Sequence, residues 1–298
     1  MLRAAVLVRL VTLTLLLCTG TIALGARIEL TQTLDFKWRA LTVATMQFDL
    51  SLPVTESFNR FEESGVSASQ IRIIGETKGP LRWIQDYQAT VEYSRSEHKE
   101  LGSIFALKGL DGGEPEERRI VFVPGQLPRI EIFNDSTASQ PLALKEEWLG
   151  KAENPLSAFE AILQAAVRNG SCANSIWGFD GKRRYRLEAK DAPDDGSGTA
   201  ETLTDIESVT ETRVKNVGHY QCTLMLYARG RDTAGSNEET KPSGWSSRFA
   251  SLWPFSDSDR ELIFYFDVNE VVSDKTYDIT FNKIVIPTSI GAIIAQLP

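Results

Sequence analysis

The sequence predicts a mainly β, α+β fold: a curved antiparallel sheet or half-barrel with one packed helix. Three observations carry this reading. Apolar and polar residues alternate through much of the chain, as in Leu34-Asp35-Phe36-Lys37-Trp38-Arg39-Ala40-Leu41 and Met46-Gln47-Phe48-Asp49-Leu50-Ser51-Leu52, and a period of two marks a strand with one face on a core. Short turn signals separate such runs: Lys78-Gly79-Pro80, Asp111-Gly112-Gly113 and Pro124-Gly125-Gln126-Leu127-Pro128. One segment alone has helical spacing. Many strands joined by short turns, with no repeat of fixed period, favour an antiparallel sheet that curls on itself.

The chain opens with a different kind of segment. Residues 1–9 carry Arg3 and Arg9 and no acid, residues 10–18 are an apolar run, and Ala23-Leu24-Gly25 offers small residues. A positive start, a short apolar stretch and a small-x-small site describe a secretory signal peptide. An uncleaved anchor is the alternative, but the run is shorter than the roughly 20 residues of a membrane span. The expected organisation is therefore a signal peptide at 1–25 and a single β-rich exported domain at 26–298. Removing 1–25 takes away two positive charges, so the formal charge moves from −8 to −10. That acidity argues against nucleic-acid binding and against electrostatic docking on anionic headgroups. Ala292-Ile293-Ile294-Ala295 is strand-length and too short to anchor, so no transmembrane helix is expected in the mature chain.

Beyond 34–41 and 46–52, strands are expected at 71–74, 89–93, 104–107, 120–123 and 130–133. Trp83 and Tyr87 fall in a stretch readable as loop or strand. The helix is expected at 155–168: Asn154 caps it, Pro155 suits its first turn, and Asn169-Gly170 ends it. Leu156, Phe159, Ile162, Leu163, Ala166 and Val167 form its apolar stripe. A hairpin follows, with strands at 175–179 and 183–189 around Asp180-Gly181. Lys182, Arg183, Arg184 and Arg186 make a basic cluster there, readable as a solvated face or an anion contact. Residues 191–198 read as an excursion, and 207–214, 222–227, 261–268, 277–286 and 291–297 as strands. Between them, 231–259 is polar and Ser-rich yet holds Trp245, Phe249, Trp253 and Phe255. Those four aromatics either cover one end of a barrel or meet a partner or lipid, because exposed aromatic clusters are unfavourable without one.

Three cysteines are present. Cys18 lies within the signal, and Leu15-Leu16-Leu17 lacks the small residue that lipid attachment requires. Cys172 and Cys222 are left as two thiols in an oxidising compartment, so one disulfide between them is expected. Two cysteines and the distant His98 and His219 do not have metal-ligand spacing. There is no Gly-x-Ser-x-Gly elbow, P-loop or Rossmann glycine pattern. His98 sits in a charged stretch and His219 reads as a strand-end residue rather than a base. No catalytic, cofactor-binding or metal-ligating residue is therefore assigned, and no enzymatic activity or cofactor is expected.

The run Asn154-Pro155-Leu156-Ser157-Ala158-Phe159, then Cys172, Phe179-Asp180-Gly181-Lys182-Arg183-Arg184-Tyr185-Arg186-Leu187 and Cys222 resembles the second half of the domain-of-unknown-function 3108 proteins. Arg119-Ile120-Val121-Phe122 with Pro128 fits that family's middle. The resemblance implies a periplasmic location in a Gram-negative envelope and a curved sheet with an associated helix. That family has no settled activity, so it supplies no catalytic residues. The stretch between Ala189 and Cys222 and the aromatic loop at 231–259 are both longer than the family pattern. The expected function is non-enzymatic binding of an apolar ligand, lipid or lipoprotein-like, on the concave face. The alternative is a structural or assembly factor working through protein–protein contacts in the envelope.

Overall fold

The computed structural model describes residues 26–54, 69–84, 86–96, 102–135, 140–182, 184–191, 214–229, 260–273, 276–287 and 291–296. The sheet is the whole architecture: a 13-stranded antiparallel meander, open and curved. Its strands are β1 (Arg27–Trp38), β2 (Leu41–Pro53), β3 (Ser69–Thr77), β4 (Tyr87–Arg95), β5 (Ser103–Asp111), β6 (Glu114–Phe122) and β7 (Arg129–Asn134), then β8 (Asn174–Phe179), β9 (Arg184–Asp191), β10 (Val214–Arg229), β11 (Arg260–Val271), β12 (Thr276–Ile286) and β13 (Ile293–Gln296). Among the described residues two helices interrupt them, α1 (Gly79–Ile84) and α2 (Pro155–Asn169), with a 3₁₀ turn at Glu146–Trp148. In space the order runs β7 to β1 and then β13 down to β8, so the two halves of the chain join at β1 and both outer edges come from mid-sequence.

The join is a fork. β1 pairs in parallel with β12 at Arg27–Glu29 and antiparallel with β13 at Phe36–Trp38. Where β13 has not yet wedged in, the Gln32 amide takes over. Its Nε2 donates to the Phe281 carbonyl at 2.8 Å and its Oε1 accepts from the Phe281 N–H at 2.9 Å. A side chain thus satisfies the backbone groups that the ladder leaves there.

The alternation read from sequence becomes the inner wall. Leu34 and Phe36 of β1, Phe48, Leu50 and Leu52 of β2, and Phe264, Phe266 and Val268 of β11 are all buried. Phe281 sits centrally, with ring centroids 5.6 Å from Phe48, 5.9 Å from Phe159 and 5.8 Å from both Phe264 and Phe266. Tight curvature brings backbones together at Gly109 of β5, where a Cβ would lie 1.9 Å from the Gln88 carbonyl oxygen. Only glycine fits that approach.

Four expectations need correction. The strand read at 34–41 ends at Trp38, because Arg39 adopts φ 55 and turns the chain into β2; its guanidinium carbon stands 5.0 Å over the Trp38 ring. The stretch with Trp83 and Tyr87 is neither loop nor one strand: Gly79 at φ 54 opens α1, and Tyr87 begins β4. The strand expected at 222–227 is the middle of β10, which runs unbroken from Val214 to Arg229. The last strand is shorter than 291–297, spanning Ile293–Gln296. Residues 207–213 lie outside the described residues.

The helix matches its expected bounds to one residue. Asn154 accepts from the Leu156 N–H at 3.0 Å, Pro155 takes the first position, and Gly170 caps the end at φ 64. What its stripe does not convey is the depth. Ala158, Glu160, Ala161, Ile162, Leu163, Gln164, Ala165 and Ala166 are all buried, so α2 is enclosed on nearly every side. It lies in the concavity of the sheet, packed with residues of β1, β2, β11 and β12.

Candidate functional site

Enclosing α2 forces polar side chains into the core, where Glu160 is fully engaged while Gln164 bonds through Nε2 and leaves Oε1 buried without a partner. Glu160 is 1 % exposed; its carboxylate accepts from Tyr93 Oη at 2.7 Å, Ser69 Oγ at 3.0 Å and Arg95 Nη2 at 2.5 Å. One helix residue is therefore tied to β3 and β4 together. Burial, then the Glu160 charge, pushes the Tyr93 phenol well above its ordinary value, with Arg95 opposing; the proton is held as a donor to the carboxylate. Gln164 Nε2 donates to the Pro53 carbonyl at 2.5 Å, fixing the helix to the end of β2.

A second buried polar cluster sits where the curled sheet meets itself. β7 and β8 are its outermost strands and share no ladder. Instead the β8–β9 turn docks on β6 and β7. Arg118 of β6 is 6 % exposed and pairs with Glu116, with Asp135 at 2.6 Å and with Asp180 at 3.4 Å. Lys182 reaches Asp135 at 3.2 Å. The Leu142 N–H donates to the Gly181 carbonyl at 2.8 Å. Behind these groups Phe179 is buried with Phe105, Leu107, Ile120 and Phe122. Burial, then the nearby Asp111 charge, raises the Tyr87 phenol, with Arg118 opposing and Asp180 adding to the rise.

Outside, the segment before α2 lies along the free edge of β8. The Glu153 N–H donates to the Trp177 carbonyl at 2.8 Å, and the Phe179 N–H to the Glu153 carbonyl at 2.9 Å. Trp148 meets Trp177 edge-on, centroids 5.4 Å apart, with Leu149 exposed beside Trp148 in sequence. At the sheet end holding the β1–β2 turn and α1, Leu41 and Trp83 are exposed, Trp83 at 89 %.

Of the residues singled out from sequence, Cys172 and Cys222 come together. They form a buried disulfide with Cα atoms 5.8 Å apart, tying the segment before β8 to β10. Asp191 supports it by accepting from the Cys172 N–H at 2.6 Å. Trp245, Phe249, Trp253, Phe255 and His98 lie outside the described residues. The strands flanking 230–259 are β10 and β11, which meet there at the same end of the sheet as Leu41 and Trp83. In the basic cluster, Lys182 is tied to Asp135 and Arg186 to Glu188 at 2.8 Å, rather than presenting free charge. His219 pairs with Asp267 directly across the β10–β11 ladder on an exposed face, within β10 rather than at its end.

The two polar clusters were missed in the sequence, yet one left a signal. Glu116 and Arg118 share the parity of Ile120 and Phe122 on β6, which places both charges on the inward face. Among the described residues, no group of His, Cys, Asp and Glu has the arrangement of a metal site, and no helix is long and apolar enough to cross a membrane. The space between α2 and β8–β10, lined by Ala158, Ile162, Ile176, Leu187, Ala189 and Leu224, is too small for a water molecule. No family model, curated protein or solved structure matches the chain.

Proposed function

We propose that this chain is an exported protein of the domain-of-unknown-function 3108 type, delivered to the periplasm through residues 1–25. There it acts without catalysis, as a structural or assembly factor that works through protein–protein contacts. One observation carries the choice between contact and ligand binding: α2 covers the concave face of the sheet, where an apolar molecule would otherwise sit. Apolar surface is offered outside instead, by Trp177 with Trp148 and Leu149 and by Trp83 with Leu41. The aromatic segment with Trp245, Phe249, Trp253 and Phe255 is the contact region we assign. The disulfide is compatible with an oxidising compartment.

The test is photo-cross-linking in intact cells, with a benzophenone side chain placed at 253, 177 or, as a control, at exposed Arg72. A discrete adduct from 253 or 177, lost in Trp253→Ala carrying the 177 probe, is the expected result. Identical labelling from all three sites overturns it. A second reading, apolar ligand binding, is favoured by one feature: β7 and β8 share no ladder, and the Phe105–Phe122–Phe179 cluster lies directly behind their junction.

A further inference from the structure

We propose that the seam between the β8–β9 turn and β6–β7 is a gate, at which the curled sheet parts while the rest of the fold stays intact. Apart from the β1–β12–β13 fork, where the Gln32 amide bridges the gap, neighbouring described strands are joined by backbone ladders, so opening between them means breaking many backbone hydrogen bonds at once. At the seam no strand pairs with another. The contacts across it include two ion pairs, Arg118 to Asp180 and Lys182 to Asp135, the Arg118 guanidinium donating to the Asp180 carbonyl at 3.4 Å, the Leu142 to Gly181 backbone bond, and the packing of Phe179.

The two ends of the β8–β9 hairpin are secured differently. At its base Cys172 is bonded to Cys222 of β10, and Asp191 grips the Cys172 N–H. At its tip the attachment is ionic and can separate without covalent change. Gly181 lies against Ile120, where a Cβ would come within 3.1 Å of Cδ1, so the tip seats flat on the β6 wall. Parting the seam withdraws Phe179 from Ile120 and Phe122 and opens the apolar interior to the outside. Segments of low local stability are the ones that move. The inference stands whichever functional reading holds.

Amide hydrogen exchange on the full mature protein tests it. In the wild type, the amide of Leu142, which donates to Gly181 at the seam, is expected to exchange faster than those of the β1–β2 ladder. Asp180→Asn keeps the turn, because the amide oxygen still accepts from the Lys182 N–H, but removes the charge facing Arg118; Lys182→Met removes the second pair. Each variant is expected to accelerate Leu142 by about tenfold or more, as loss of a charge-assisted bond implies. The β1–β2 amides should remain at their wild-type rates, and 8-anilinonaphthalene-1-sulfonate fluorescence should rise. A Leu142 amide as slow as the ladders in the wild type, or acceleration spread evenly over the protein, would overturn the gate.

Discussion

Glu160→Gln examines the central packing of the fold. The carboxylate is 1 % exposed and accepts three hydrogen bonds, one from the Arg95 guanidinium. Glutamine preserves the shape and one acceptor oxygen but removes the charge, and it turns an acceptor into a donor facing Tyr93, Ser69 or Arg95. Removing one member of a buried ion pair costs about 3–5 kcal/mol. Arg95 keeps a wet edge, and the retained oxygen still accepts, so about 3 kcal/mol is expected here. Arg95→Met should cost about as much, because it leaves the Glu160 charge buried with neutral donors only. The double variant Glu160→Leu/Arg95→Met removes both charges and should recover much of the loss. Urea titration at pH 7 followed by tryptophan fluorescence measures all three. If Glu160→Gln is within about 0.5 kcal/mol of wild type, as exposed substitutions are, then α2 does not lie enclosed by the sheet and the reasoning fails.

Three further predictions follow from the same geometry. Alkylation of unreduced mature protein should modify neither Cys172 nor Cys222, and replacing both with alanine should cost about 4 kcal/mol by loop entropy for the 50-residue span; two alkylated thiols would contradict the bridge. Gln32→Ala should cost about 2–3 kcal/mol, because it leaves both Phe281 backbone groups without their partner at the β1–β12 fork; a urea midpoint unchanged from wild type would contradict that role. The phenols of Tyr93 and Tyr87 are both raised, so the unfolded chain releases these protons near pH 10 while the folded chain keeps them. Stability is therefore lost as pH climbs above about 10, by up to about 1.4 kcal/mol per unit for each tyrosine while its folded phenol stays protonated. Tyr93→Phe should remove one proton's share of that slope, and an unchanged slope would place Tyr93 in water.

Local signals were legible and distant ones were not. The bounds of α2 were readable because its stops are chemical: the Asn154 side chain caps one end and Gly170 takes the left-handed conformation at the other. The Asp180-Gly181 turn and the Cys172–Cys222 pairing were readable for similar reasons, one from glycine's positive φ and one from redox compartment. The turn at Arg39 was not, since a non-glycine residue at φ 55 carries no sequence mark. Nor was the enclosure of Glu160, which depends on Ser69, Tyr93 and Arg95 arriving from strands far away in the chain. The seam has the same origin: Arg118 and Asp135 are neighbours across the β6–β7 pair, but Asp180 and Lys182 reach them only when the sheet has curled through all its strands.

The helix α2 occupies the concave face of the sheet, and the function we propose is surface contact without an apolar ligand. Native mass spectrometry of the purified protein, followed by organic extraction, decides between contact and ligand binding. The bare mass of the disulfide-bonded chain under gentle ionisation, with an extract free of any stoichiometric apolar molecule, is the expected result. A discrete lipid-sized adduct, recovered in the extract, would contradict it and establish the concave face as a binding site.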